Sequence, residues 1–154
     1  MTALSTDRIT KSLSVMQSGV LPPFYTFPIA DNVLIYAGAL VVQDTGGNVR
    51  PGRTSTTDVA IGCARTRYDN TVVGHAAGAL KVDVQRGVFF YDNDGSNPVL
   101  ATTQAGTTLY VVDDHTVSLS NGGSTRAIAG TLVGLDPDGS GQVMVFVNPA
   151  AGQF

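Results

Sequence analysis

The chain of 154 residues has no glutamate, no tryptophan, one cysteine, two lysines and two histidines. Glutamate and lysine usually fill exposed helix faces, so their near-absence argues against a helical bundle, a coiled coil or a helix-rich α/β enzyme. Without glutamate, a glycosidase would have to build its acid pair from aspartates alone. A single cysteine, Cys63, permits no intrachain disulfide, so an oxidising compartment is neither required nor excluded. Its apolar setting, Ala60-Ile61-Gly62-Cys63-Ala64, reads as a small buried hydrophobe. No stretch approaches about 18 consecutive apolar residues, so no membrane-spanning helix is expected. The opening residues, Met1 to Ser12, lack the apolar run of a signal peptide. The default expectation is a product made in the cytosol that acts without export. Charged residues make up only 14 % of the chain, against about 25 % in an average soluble domain.

What is present points one way. Twenty valines and 17 threonines favour pleated strands, while 18 glycines and 12 aspartates favour turns. The expected fold is all-β: a compact β-barrel or β-sandwich of short, mainly antiparallel strands with an extended N-terminal arm. The division is an arm over residues 1–31 and a β domain over 32–154. In the arm, Val20-Leu21-Pro22-Pro23-Phe24-Tyr25-Thr26-Phe27-Pro28 sets three prolines among aromatics. That pattern fits neither a helix interior nor a central strand. Its apolar side chains must be buried, on their own domain or on a neighbour.

From Val33 the pattern alternates between strand and turn. Val33 to Val42 reads as one strand ending at Asp44-Thr45-Gly46-Gly47-Asn48, and Val59 to Ala64 as another. Leu80 to Gln85 alternates strictly and continues past Gly87 into Val88-Phe89-Phe90-Tyr91. Leu109 to Val112 and Val117 to Ser120 flank Asp113-Asp114-His115 as a hairpin. Ile128 to Leu135 and Gln142 to Asn148 flank Asp136 to Gly141, and the last of these has two apolar faces, as a central strand would. Val82, Val84, Phe89, Tyr110, Val112, Val143 and Val145 are the expected core. Ala101 to Ala105 is the one helical turn expected beyond the arm. Ala37-Gly38-Ala39-Leu40 recurs as Ala77-Gly78-Ala79-Leu80, each copy opening a strand.

Net charge is −3, which lacks the dense basic face that nucleic acid requires. The charge is uneven: residues 50–86 carry +3 and residues 87–154 carry −5. Such asymmetry can steer protein–protein docking. Candidate chemistry is sparse. Asp92-Asn93-Asp94-Gly95 and Asp136-Pro137-Asp138-Gly139 imitate calcium loops, but their twelfth positions are Thr103 and Val147 and strands flank both. His75 and His115 sit in separate loops without metal-ligand spacing. Asp113 and Asp114 are adjacent, so on a strand they would point apart. No nucleophile elbow and no phosphate loop are present. No catalytic residue, metal ligand or cofactor is therefore assigned.

Several phrases occur together in order: Val59 to Ala64, Arg86 to Asn93, Leu109 to Val117, Ala129 to Gly134, and Val143-x-Val145-x-Val147. They resemble small head decoration, or cement, proteins of tailed bacteriophages and prophages over roughly residues 33–148. The resemblance implies a structural virion protein, not an enzyme, made in the host bacterial cytoplasm and bound to the outer capsid surface. It implies the major capsid protein and further copies of the chain as partners, a trimer being favoured, with no nucleic acid or membrane. Multivalent attachment would sum modest contacts. Val20, Leu21, Phe24, Tyr25, Phe27, Arg50 and Arg53 are the candidate contact residues. The alternative is a β-sandwich module that binds carbohydrate or a receptor.

Overall fold

The computed structural model describes residues 3–10, 24–147 and 149. It is all-β, with twelve short strands and no α-helix among the described residues. The strands are β1 (Phe24–Pro28), β2 (Leu34–Ile35), β3 (Leu40–Gln43), β4 (Val49–Pro51), β5 (Val59–Ala64), β6 (Tyr68–Asp69), β7 (Lys81–Gln85), β8 (Gly87–Asn93), β9 (Thr108–Val111), β10 (Thr116–Ser118), β11 (Ile128–Leu135) and β12 (Val143–Val147).

The first seven strands and the last five build separate layers. In the first half, β1-β7-β5-β3-β4 form an antiparallel sheet, and β2 pairs with β6. A parallel bridge from Ile29 to Val49 brings the chain beyond β1 back to β4, so the sheet nearly closes on itself. In the second half, β10-β8-β12-β11-β9 form a closed barrel whose one parallel pair is β10 with β8. The chain passes from sheet to barrel at Arg86–Gly87, where the sequence marked a bend.

Two cores result, and the sheet lies between them. Leu40, Val42, Ala60 and Cys63 face the barrel core with Phe89, Tyr91, Leu109, Val111, Val143, Val145 and Val147. Val41, Ile61 and Ala64 face the other way, onto Ile29, Ile35, Val49, Val82 and Val84. Neighbours on β3 thus serve different cores, which explains why Leu40-Val41-Val42 is apolar without alternation. Each large aliphatic or aromatic side chain so buried contributes roughly 1.5–3 kcal/mol. β12 lies between β8 and β11, the central place its two apolar faces require.

Three local expectations are corrected. Val33 to Val42 is divided, because the chain turns between β2 and β3 at Gly38, whose φ is +82°. The phase of β9 is opposite to the expected one: Leu109 and Val111 fill the barrel, and Tyr110 and Val112 are half-buried. Ala101 to Ala105 forms turns, not a helix. The Ala-Gly-Ala-Leu echo has a structural counterpart, since Gly38 and Gly78 share a φ near +80° just before β3 and β7. A left-handed residue at that point suits glycine.

The N-terminal segment is extended where described. Residues 3–10 run across the join between the layers. The Leu4 amide donates to Asp114 Oδ1 (2.8 Å) on the barrel side. On the sheet side the Arg8 amide donates to the Ala37 carbonyl (2.9 Å), and the Ala37 amide donates to Asp7 Oδ1 (3.0 Å). Phe24–Pro28 pairs along the whole of β7, so this part of the proline-aromatic stretch is a strand of the chain's own sheet. Position at the sheet edge is where proline is tolerated. Val20 and Leu21 lie outside the described residues.

Candidate functional site

The edge strand β1 carries the most distinctive surface. Phe27 and Tyr25 pair with Val82 and Val84, so they share the core-facing side, and Phe27 packs there. Tyr25, nearer the end of the sheet, is 43 % exposed, and so is Phe24 on the opposite side. Two arginines cover these rings. The Arg86 guanidinium lies 4.1 Å from the Tyr25 centroid, and that of Arg65 lies 4.9 Å from the Phe24 centroid. Stacking of this kind contributes about 0.5–1 kcal/mol at an exposed site. Arg65 also donates to Gln85 Oε1 at 2.9 Å. Neither arginine has a carboxylate partner among the described residues, and Arg86 Nε is buried without an acceptor. The result is two guanidinium groups held in place by aromatic faces and free of acids. Such groups are preorganised to meet a carboxylate.

The other residues expected at a contact surface do not join this edge. Arg50 donates to Asp44 Oδ2 at 2.8 Å across the β3–β4 hairpin. Arg53 donates to Asp58 Oδ2 at 2.6 Å. Both therefore hold turns of their own domain. Asp44 fixes its hairpin further by accepting from the Gly46 and Asn48 amides. Burial would raise its pKa, but Arg50 and these amides more than offset that and hold it below the ordinary carboxylate value. Arg65 and Arg86, within the basic stretch but not singled out, were illegible as a pair. Only the β1–β7 register brings their two aromatic partners beside them.

Several acids of the second half are engaged within their own turns. Asp94 accepts from Ser118 Oγ (2.8 Å) and the Ser96 amide (3.1 Å), and Asp136 accepts from Ser140 Oγ and the Asp138 amide. In the β9–β10 hairpin, Asp113 and Asp114 do not point apart, because they sit in the turn. His115 Nδ1 lies 3.2 Å from Asp113 Oδ1 and 3.0 Å from Asp114 Oδ1. Burial raises the pKa of Asp114, although contacts with His115 and the Leu4 amide pull it down. This group offers metal-ligating atoms; Asp113 Oδ2 is buried without a donor, while the bonds to His115 and Leu4 make the group a turn that anchors residue 4.

Cys63 is buried, and that burial pushes its thiol up to about 11. A thiol so protonated is a poor nucleophile. It lines a cavity of about 270 Å³ beneath the N-terminal segment, with Arg8, Thr10, Gly38, Arg65 and Gln85.

Comparison of the chain with protein-family models, with curated proteins and with solved structures finds no match.

Proposed function

We propose that the protein is a capsid decoration protein, a structural component that binds the outside of a tailed-phage head and bridges neighbouring capsomers. The observation that carries this reading is the arginine-backed aromatic edge on β1, set on a two-core β body. Twin cores on the two sides of one sheet give a stiff body, and stiffness suits a clamp that must resist outward pressure. Residues 3–10 add an extended segment laid over the body, and the edge offers half-exposed aromatics and guanidinium groups without a carboxylate partner among the described residues to a neighbouring subunit. That neighbour is another copy of the chain or the capsid protein. Modest contacts of this kind sum when an oligomer engages several capsid subunits.

A carbohydrate-binding module would need open aromatic faces over a groove. Here one face of Phe24 carries Arg65 and one face of Tyr25 carries Arg86, and the two side chains lie on opposite sides of β1 rather than over one groove, which weighs against that alternative. The test is co-sedimentation of the purified protein with phage capsids that lack their own decoration protein. Saturable pelleting, and greater resistance of the loaded capsid to heat, is the expected result. A specific glycan-array signal without pelleting would replace this reading by the alternative.

A further inference from the structure

The two ends of β1 differ in chemistry. At its start, Phe24 and Tyr25 lie beside Arg65 and Arg86. Past its end, Asp31 is exposed and has no cationic partner among the described residues. Asp31 and Asn32 line a depression of about 260 Å³ with Asn70, Thr71, Val72 and Val73. Val73 is 100 % exposed and Val72 53 %. The whole loop 71–79 is exposed and carries no formal charge apart from His75. Asn70 fixes it, donating to the carbonyls of Ala30 (2.8 Å) and Ala76 (3.2 Å), while its own side-chain oxygen has no donor. This end therefore offers a carboxylate without a cationic partner among the described residues and two bare valines. The first end offers two guanidinium groups without a carboxylate partner among the described residues, and half-exposed rings.

We infer that the two ends bind each other between copies: the Phe24–Tyr25–Arg65–Arg86 end of one chain seats on the Asp31–Val72–Val73 end of the next. The inference deepens the oligomeric part of the proposed function and rests on it. One copy cannot satisfy itself, because Phe24 and Asp31 are separated by roughly 20 Å of extended chain at about 3.3 Å per residue. Like ends cannot pair, since two basic ends repel. Unlike ends complement each other twice, arginine with carboxylate and ring with valine. Serial pairing gives a closed ring such as a trimer, and reciprocal pairing gives a dimer. A nucleic-acid partner is disfavoured by the net charge of −3. Asp69 accepts from the Thr71 hydroxyl (2.6 Å) and amide (3.0 Å), and these bonds, with a lesser attraction from Arg67, hold its carboxyl low. Asp31 is therefore the acid on which the contact depends.

The experiment is sedimentation velocity on the full-length chain and two variants. One is Arg65→Glu with Arg86→Glu; the other is Asp31→Arg with Val73→Asp. Wild type is expected to associate, less strongly in high salt. Each variant alone is expected to stay monomeric. Mixed in equal amounts, the variants are expected to form a one-to-one heterodimer, since one intact end of each kind remains. Wild type that stays monomeric, or variants that associate as wild type does, would overturn the inference. Should a variant misfold, Phe24→Cys and Val73→Cys chains provide a second arm. Their mixture should yield a disulfide-linked heterodimer under oxidation, and its absence counts against the contact. Capsid pelleting of wild type separates the two readings. Self-association without pelleting removes the decoration reading alone, and pelleting as a monomer removes this inference alone.

Discussion

Arg8 reaches Asp92 across 84 positions of sequence, placing its two terminal nitrogens 3.3 Å from the two carboxylate oxygens. The pair joins the N-terminal segment to the barrel. Burial alone would raise the pKa of Asp92, but hydrogen bonds from Gln142 and Arg8 hold it below the ordinary value. A carboxylate with a depressed folded pKa adds stability above its unfolded pKa and loses it as pH falls through the folded one. Asp92 is nearly half exposed, so solvent screening keeps the gain small, about 0–1 kcal/mol. Arg8→Ala should therefore lower stability slightly at neutral pH, and the difference should vanish in acid and in high salt. Urea titrations of both proteins at several pH values check this.

Gly38 should matter more than Arg8. A Cβ built there would overlap the Arg8 carbonyl oxygen, and its φ of +82° already disfavours any side chain. Gly38→Ala should cost roughly 1–3 kcal/mol through backbone strain. It should also loosen residues 3–10, read as faster hydrogen exchange at the Leu4 and Arg8 amides. Unchanged exchange would show that the segment is held elsewhere.

Asp114 has the opposite sign to Asp92. Burial raises its folded pKa, so it adds stability below its unfolded pKa and loses that as pH rises through the folded one. Asp114→Asn keeps an oxygen for the Leu4 amide and removes the buried charge. It should equal or exceed wild type in stability at neutral pH and lose that advantage in acid. Asp114→Ala, which leaves the Leu4 amide without its acceptor, should be less stable at every pH. Thermal melts across the acid range distinguish the three proteins.

How much of this was legible depends on which signal each element leaves. Strict alternation in Lys81 to Gln85 identified Val82 and Val84 as core, and the apolar faces of Val143 to Val147 identified a central strand. β9 defeated the same reasoning, because Leu109-Tyr110-Val111-Val112 is apolar throughout and gives no phase. Its facing was set by pairing with β11, where the register slips between Ile128 and Gly130. The candidate edge was half legible. Phe24 and Tyr25 were found as aromatics in need of cover, but Arg65 and Arg86 lie some 40 to 60 positions away. Pairing of β1 with β7 brings them together, and no local spacing announces that.

The phase of β9 gives a direct contrast. Val145 and Val111 are fully buried, whereas Val112 is only half-buried. Val145→Asp and Val111→Asp would each bury an unpaired charge and should abolish soluble expression. Val112→Thr should fold with a loss of at most about 1 kcal/mol. Soluble Val111→Asp together with insoluble Val112→Thr would reverse the assignment.

Truncation should separate the two parts of the N-terminal region. Removing residues 1–10 breaks the bonds to Ala37, Asp92 and Asp114 but takes no strand from the sheet, so a folded body with a lower melting temperature is expected. Removing residues 1–28 also takes β1, which pairs with β7 from Phe24↔Gln85 to Pro28↔Lys81. That loss uncovers the β7 edge, and Phe27 no longer covers the core that holds Val82 and Val84. An unpaired strand edge over a bared apolar core favours aggregation, so the longer truncation should be insoluble or bind a hydrophobic dye. A cooperative, wild-type melt from the longer truncation would show that β1 is dispensable to the body. With the expected result, loss of attachment in that truncation would reflect unfolding. The role of the edge must then be read from Phe24→Ala with Arg65→Ala, which strips its surface while leaving the β1–β7 backbone ladder in place.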